Sequence, residues 1–258
     1  MGRFASTVDY YTRYREPYPA VFFRAVATKL ALTGKERLLD VACGPAPLAI
    51  GLAPFVASVT GVDPEPNMLD VARTAAREAG VKLELIAARL EALPENVGEF
   101  DLVTIGRAIH WFDRAAALPV LERLAAKGGP VVICGATTSS SAVNPWIQKF
   151  KEVRQAWSSE PPHALSELGA VPERWVEYFQ TWFAGSRFRL VDDISVAECH
   201  RITIPELVGR ALSMSSTAPA ALGDRRVAFE QAMADALQPY SQNGVLEEEV
   251  KALAAVLR

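Results

Sequence analysis

Short apolar runs alternate with helical periods from residue 37 to residue 135. Five runs predict strands, at Arg37–Ala42, Val56–Asp63, Val81–Ala87, Phe100–Ile105 and Pro130–Cys134. Between the second and third strands, Met68, Ala72, Ala75 and Ala79 share one face of a predicted helix that Gly80 ends. Continuous apolar runs are typical of strands buried on both faces. The rhythm therefore predicts a parallel sheet with right-handed crossovers.

The pattern changes after residue 135. Small and polar residues predict a loop over 136–144, and helical spacing over 145–183 includes four of the five tryptophans. Phe188–Val191 and Val196–Ile204 predict two short strands that pair antiparallel at a sheet edge. Three helices are predicted to close the chain. In the last of them Leu246, Val250, Leu253 and Leu257 form one apolar stripe.

Composition limits the partners. Half of the 258 residues are hydrophobic and the formal net charge is −3, so the chain is globular and has no polycationic surface for nucleic acid. Cys43, Cys134 and Cys199 are widely spaced, as expected of reduced thiols in a cytoplasmic protein. No run approaches the ~18 apolar residues of a membrane span, and no apolar leader segment precedes Tyr18. The sequence does not indicate an oligomeric state.

The first strand ends in a turn of small residues, Asp40 to Ala46. Gly44 is its one glycine, where a dinucleotide fingerprint has three, so the turn argues against a pyrophosphate ligand. The turn either lets a ligand approach the backbone or needs Gly44 for its geometry alone. Asp63 ends the second strand, where it can accept both hydroxyls of a ribose, act as a helix N-cap before Pro64, or do both. Together the two acids favour a bound nucleoside.

Five motifs in order resemble those of class I S-adenosylmethionine (SAM) methyltransferases. The resemblance is closest to the small-molecule group that includes the ubiquinone and menaquinone biosynthesis methyltransferases, methyltransferase domain type 11. The motifs are residues 38–52, residues 61–69, Glu91-Ala92-Leu93-Pro94, residues 100–104 and residues 108–113, and the turn Lys127-Gly128-Gly129 follows them. The resemblance covers roughly residues 10–135. It implies a Rossmann-like, seven-stranded, mainly parallel sheet with helices on both faces and a helical lid inserted after strand five.

The resemblance also implies roles for single residues. The backbone of Ala42, Cys43, Gly44 and Ala46 would hold the methionine part of SAM, with Asp40 near its amino group. This group of enzymes often has glycine at the positions of Ala42 and Ala46. The sequence therefore does not decide whether a site with these alanines keeps full activity.

The adenosine part would contact a second set of residues. Asp63 would bind the ribose hydroxyls and Met68 would pack nearby, while Arg89 and Leu90 stand where the group contacts the adenine edge. An acid or polar pair is usual at those last two positions, so adenine recognition would come from the backbone or from the arginine. Arg107 borders the methionine side.

Two further features have alternative interpretations. Tyr14 and Arg15 lie in a segment that resembles the one folding over SAM, where Arg15 would pair with the cofactor carboxylate, or they belong to an arm that docks on the core. His110 either takes a proton from the acceptor or orients its loop beside Trp111. The tryptophans of 145–183 build core or line a lid suited to a planar or lipophilic acceptor.

The predicted organisation is an arm over the cofactor at 1–30, a SAM-binding core at 31–140, a helical lid at 141–185, and edge strands with C-terminal helices at 186–258. The predicted function is in-line methyl transfer from SAM to a small organic acceptor, without a metal. The sequence does not choose between O-, N- and C-methylation. The alternatives are a non-catalytic SAM-binding protein and an NAD(P)-dependent oxidoreductase.

Overall fold

The computed structural model contains one sheet of seven strands in the order β3-β2-β1-β4-β5-β7-β6. The structure describes residues 8–158 and 172–258. The strands are Arg37–Val41 (β1), Ser58–Asp63 (β2), Leu83–Ala87 (β3), Leu102–Gly106 (β4), Val131–Thr138 (β5), Leu190–Thr203 (β6) and Val245–Leu257 (β7). The predicted sheet of seven mainly parallel strands, with helices on both faces, is confirmed.

The first five strands pair in parallel, and β1 lies between β2 and β4. Leu38 is opposite Val59 on one side and Leu102 on the other, and all three are buried. Burial on both faces of the sheet explains why these strands are continuous apolar runs. The strand order reverses direction between β1 and β4, which is where open α/β sheets bind ligands at the carboxyl ends of their strands.

The α-helices described by the structure vary from four to thirteen residues. They are Val8–Tyr14 (α1), Ala20–Lys29 (α2), Pro47–Leu52 (α3), Pro66–Glu78 (α4), Arg114–Leu124 (α5), Ile147–Trp157 (α6), Pro172–Trp182 (α7), Ile204–Leu212 (α8), Pro219–Leu222 (α9) and Arg226–Leu237 (α10). Within the described ranges, no helix is both long and apolar enough to cross a membrane.

The described chain separates into two compact units. The core unit comprises residues 18–135, 172–196 and 252–258, and the helical unit comprises residues 8–17, 136–158 and 197–251. Strands β5, β6 and β7 contribute to both. In the helical unit, Trp146, Phe150, Leu207 and Phe229 are among the residues of an apolar core, and Trp157 packs edge-on against Phe229.

The prediction of a final helix is wrong, because residues 245–257 form strand β7. Leu246 and Val250 are four residues apart, a spacing that fits a helix and a strand equally well. Alternate residues from Leu246 to Ala254 are buried, among them the carboxylate of Glu248. Three consecutive glutamates hide this two-residue period in the sequence, and pairing with the sheet outweighs the helical propensity of the alanines and leucines that follow.

Other boundaries also differ from the prediction. The two short strands predicted at 188–191 and 196–204 are one strand, β6, which pairs antiparallel with β7 through reciprocal backbone hydrogen bonds between Arg189 and Arg258. Strand β5 continues to Thr138, into the predicted loop. The helix predicted across 145–183 is seen as α6 and α7, and its middle part, 159–171, lies outside the described residues.

Candidate functional site

The turn between β1 and α3 has an unusual backbone. Ala42, Gly44 and Ala46 all have positive φ, at 51°, 54° and 63°. The residues between them do not, so the conformation alternates along the turn. A left-handed alanine costs about 1–2 kcal/mol relative to its preferred conformations, so this turn stores strain of a kind found mainly at functional sites. A Cβ added to Gly44 would meet no atom within 4 Å, which leaves open space beside the backbone there.

Asp40 is buried beneath this turn, with 1% of its surface exposed. One carboxylate oxygen accepts a hydrogen bond from Thr104 Oγ1 at 2.8 Å, and the other accepts from the backbone N–H of Ala49 at 3.2 Å. The side chain therefore links β1, β4 and α3. Burial raises the pKa of Asp40 from 3.8 to about 7, the two hydrogen bonds oppose this increase, and the negative charge of Asp63 adds to it.

Asp63 ends β2 and connects two turns. Its Oδ2 accepts from the backbone N–H of Gly44 at 2.8 Å, and its Oδ1 accepts from that of Glu65 at 2.9 Å. Burial raises the pKa of Asp63, while these two hydrogen bonds lower it. The predicted N-cap role of Asp63 is wrong, because α4 begins at Pro66 and Glu65 occupies its N-cap position. Each oxygen of Asp63 keeps acceptor capacity for a further donor.

Asp40 and Asp63 make this strand edge electronegative. Among the described residues, no hydrogen bond or ion pair joins either carboxylate to a cation. Both acids also act on Cys43, which stands between them in the chain. Burial, and then the charges of Asp40 and Asp63, raise the pKa of its thiol, so Cys43 is a neutral packing residue. A ligand with positive charge would compensate these acids, and a pyrophosphate would be repelled by them.

The carboxyl end of β4 adds a positive group. Arg107 follows the strand with a positive φ of 54°, and its backbone N–H donates to the carbonyl of Cys134 at 3.0 Å. Its guanidinium lies 4.8 Å from the ring centre of Tyr18. Tyr18 is 9% exposed and its hydroxyl lies 3.4 Å from the position of a Cβ added to Gly106. The sequence did not predict this contact of Tyr18 with Arg107, although Tyr18 follows Tyr14 and Arg15 in the same aromatic segment.

His110 and Trp111 occupy a short 3-10 turn, Ile109–Trp111, just beyond Arg107. Their ring centres are 4.5 Å apart, and both side chains are half-buried. Asp113 closes this motif as the N-cap of α5, because its carboxylate accepts from the backbone of Ala115 at 2.9 Å and of Ala116 at 3.3 Å. The end of the motif thus caps a helix, and His110 lies in the turn that follows β4.

The residues predicted to contact adenosine differ in exposure. Met68 in the first turn of α4 and Leu90 in a 3-10 turn are buried, at 4% and 3% exposed. Arg89 is exposed and lies 3.7 Å from Glu91. The two apolar side chains are therefore shielded from solvent, while the Arg89 side chain is exposed to it.

The remaining predicted residues are divided between the two units. Tyr14 and Arg15 belong to the helical unit, where the guanidinium of Arg15 lies 5.0 Å from the ring centre of Tyr11. Trp146 in the helical unit and Trp182 in the core unit are buried, at 1% and 8% exposed, which supports the core interpretation of these aromatics. The side chain of Trp175 lies outside the described residues. Among the described residues, no cluster of His, Cys, Asp and Glu could hold a metal ion.

In a comparison with known sequences, residues 38–129 match the model of a methyltransferase domain family. A ubiquinone/menaquinone biosynthesis C-methyltransferase of a Geobacter species is 31% identical over 161 residues, covering 60% of this chain and 65% of that protein. An uncharacterised methyltransferase of Mycobacterium tuberculosis is 30% identical over 150 residues, covering 58% of each. The chain thus spans less than two thirds of the length of these curated relatives.

Comparison of folds finds similar solved structures. A crystal structure of a SAM-dependent methyltransferase from Thiobacillus denitrificans, in complex with S-adenosylhomocysteine, superposes with a TM-score of 0.60. The match covers 100% of this chain and 98% of that one, at 13% identity. Identity this low speaks for the fold alone. The matched segment, 38–129, contains both acids, the strained turn and Arg107.

Proposed function

We propose that this chain, whose residues 38–129 match a methyltransferase domain family, transfers a methyl group from SAM to a small organic acceptor. The observation that carries the proposal is the pair of buried carboxylates, Asp40 and Asp63, beside a turn of alternating left-handed residues. SAM carries two positive charges, on its ammonium and sulfonium groups, and one carboxylate. Its net charge complements this site, whereas the net charge of NAD does not.

The residues of the core unit fit the parts of SAM. Asp63 has acceptor capacity for two ribose hydroxyls, and the backbone of Ala42–Ala46 is open to a methionine tail at Gly44. Met68 and Leu90 offer an apolar surface to the adenine. Arg107 is a cation suited to the cofactor carboxylate on the methionine side, a role for which Arg15 is also proposed. Bound SAM supplies an electrophilic methyl group on a sulfonium.

What the protein must add is proximity, alignment and exclusion of water, since in-line transfer from a sulfonium needs no covalent enzyme intermediate. We propose that Tyr14 and Arg15 contact the methionine part from the N-terminal side. If the acceptor is a hydroxyl, the half-buried His110 is the base that accepts its proton. If the acceptor is an activated carbon, His110 orients its loop and the base is not needed.

The chemical class of the acceptor is proposed from the names of the relatives. Because Trp146 and Trp182 are buried in packed cores, they do not argue for an aromatic acceptor. The names of the Geobacter relative and of a demethylmenaquinone methyltransferase from Thermus thermophilus, 40% identical over 116 residues, favour a planar and lipophilic one. A non-catalytic SAM-binding protein is the second candidate, because two left-handed alanines stand in the cofactor turn.

Methyl transfer can be tested with SAM carrying an isotopic label in its methyl group. The protein is incubated with labelled SAM and a metabolite extract that includes lipid-soluble quinone precursors, and products are followed by mass spectrometry. We expect one small molecule to gain a single labelled methyl group, and S-adenosylhomocysteine to form in equal amount. The same incubation with Asp63→Asn should give at most a tenth of the product. SAM binding without product in any extract would favour the non-catalytic alternative.

A further inference from the structure

The ring of Tyr18 is held in one place within the core unit. Tyr18 precedes Pro19, and a residue before proline is biased towards an extended backbone. Its ring stacks on that of Phe22, with ring centres 5.3 Å apart and 28° between the ring planes, and it lies 6.2 Å from the ring centre of Phe23. Phe22 is fully buried, and Phe23 packs directly on Gly51 of α3. Contacts with α2, which itself packs on α3, therefore fix the ring of Tyr18.

The hydroxyl end of Tyr18 reaches the carboxyl end of β4. A Cβ added to Gly106 would lie 3.4 Å from the Tyr18 hydroxyl and 2.8 Å from Leu48 Cδ1. Leu48 is in the first turn of α3, directly after the left-handed turn that follows β1. Strands β1 and β4 pair up to Val41, which is opposite Ile105. Tyr18 therefore lies at the strand ends that carry the candidate cofactor turn.

The next residue along β4 is Arg107, and the ring of Tyr18 holds its charged group. The guanidinium carbon lies 4.8 Å from the ring centre, within the roughly 6 Å over which a cation is attracted to the face of an aromatic ring. The backbone of Arg107 is left-handed, with a φ of 54°, and its N–H donates to the carbonyl of Cys134 at 3.0 Å. An unfavourable backbone conformation of this kind persists only where the surrounding structure imposes it. Both ends of Arg107 are therefore fixed.

We propose that Tyr18 is a positioning residue that holds the guanidinium of Arg107 in place for the carboxylate of the cofactor. The inference rests on the proposed function, in which Arg107 takes that carboxylate. An arginine that stacks by its face keeps the N–H donors at its edge available for a carboxylate. An arginine that is already held also loses less side-chain entropy when the ligand binds. Tyr18 and Arg107 both belong to the core unit.

Titration calorimetry of the full chain with SAM and with decarboxylated SAM tests this. The second ligand keeps the adenosine, the sulfonium and the amine but lacks the carboxylate that Arg107 would hold. Tyr18→Leu removes the ring, so we expect the Kd for SAM to rise about fivefold and the Kd for decarboxylated SAM to change by less than about twofold. Tyr18→Phe is the matched control. It keeps the aromatic face, so both Kd values should stay within about twofold of the wild type.

A double-mutant cycle with Arg107→Ala separates positioning from packing. We expect Arg107→Ala alone to raise the Kd for SAM about tenfold, because a charge-assisted pair is lost. In that background Tyr18→Leu should change the Kd for SAM by less than about twofold, since the group on which Tyr18 acts is gone. Arg107→Lys gives the same test without altering the core: lysine keeps the charge but has no planar group to stack on the ring, and the Kd for SAM should rise about fivefold.

Thermal unfolding and far-ultraviolet circular dichroism establish that each variant is folded. Equal weakening of SAM and decarboxylated SAM by Tyr18→Leu would show a packing role and overturn the inference. Independent effects of Tyr18→Leu and Arg107→Ala in the cycle, or an unchanged Kd for SAM in Arg107→Lys, would overturn it as well. The proposed function stands in each of these cases, because the wild type binds SAM. A wild-type chain that binds no SAM would overturn the inference and the proposed function together.

Discussion

Replacing Asp40 by asparagine should change how the stability of the protein depends on pH. Asparagine can reproduce both hydrogen bonds, because its oxygen accepts from the Ala49 N–H while its amide donates to a rotated Thr104 hydroxyl. The variant keeps the shape of the side chain and removes its ability to ionise. The difference between the two proteins therefore reports the cost of ionising Asp40 beneath the turn.

The magnitude follows from the pKa of Asp40, which burial raises from 3.8 to about 7. For a carboxyl with a raised pKa, the folded state holds the proton more tightly than the unfolded chain. The contribution of Asp40 to the free energy of unfolding is therefore greatest below pH 3.8, falls as the pH rises, and levels off above pH 7. Each pKa unit corresponds to about 1.4 kcal/mol, so the full loss is about 4 kcal/mol, of which about 3 kcal/mol occurs between pH 5 and pH 9.

The assay is urea denaturation of wild type and Asp40→Asn at intervals from pH 5 to pH 9, without cofactor. The free energy of unfolding of the wild type should fall by about 3 kcal/mol relative to the variant over this range. Asp235→Asn, which changes an exposed acid on α10, serves as the control and should follow the wild type. Parallel curves for wild type and Asp40→Asn would refute the reasoning, because Asp40 would then ionise as an exposed carboxyl does.

Three further changes test the site and its surroundings. Asp63→Asn places an amide N–H₂ against one of the two backbone donors and weakens the hydrogen bonds to ribose. The Kd for SAM measured by calorimetry should therefore rise about 10- to 100-fold. As the control, Asp70→Asn at an exposed position should leave this Kd unchanged. Ala42→Gly removes left-handed strain of about 1–2 kcal/mol at a half-buried position, and it adds about 0.4–1 kcal/mol of unfolded-state entropy. Denaturation should therefore show zero to about 1.5 kcal/mol of added stability, and a loss of more than about 1 kcal/mol would contradict the strain. Asp113→Ala removes the N-cap of α5 and should cost about 1 kcal/mol in the same assay; a changed Kd for SAM would show that the cap also serves the site.

The parallel half of the sheet was predictable because its strands are buried on both faces. Leu38, Leu39, Val103 and Ile105 are all fully buried, and continuous apolar runs of this kind have few other structures open to them. The two acids could be placed as well, since the carboxyl ends of neighbouring parallel strands lie at one edge. The pattern predicted the positions of Asp40 and Asp63 at this edge. It did not predict which backbone N–H groups donate hydrogen bonds to their carboxylates.

The antiparallel edge was harder to predict for a physical reason. Leu246 and Val250 fit a helix by spacing, and only the burial of Glu248 shows the two-residue period of β7. A fully buried glutamate is unexpected unless its partner is known, and Arg210 lies 38 positions away in the chain. The position of Tyr18 beside Arg107 has the same origin, because contacts between distant segments leave no periodic signal.

The central claim is that the strand edge at Asp40 and Asp63 binds SAM and not a dinucleotide. Titration calorimetry of the wild-type chain with SAM and, separately, with NAD at pH 7.5 tests it most directly. The account predicts one-to-one binding of SAM with a Kd in the micromolar range and no detectable heat of binding with NAD. Saturable binding of NAD together with no binding of SAM would contradict it.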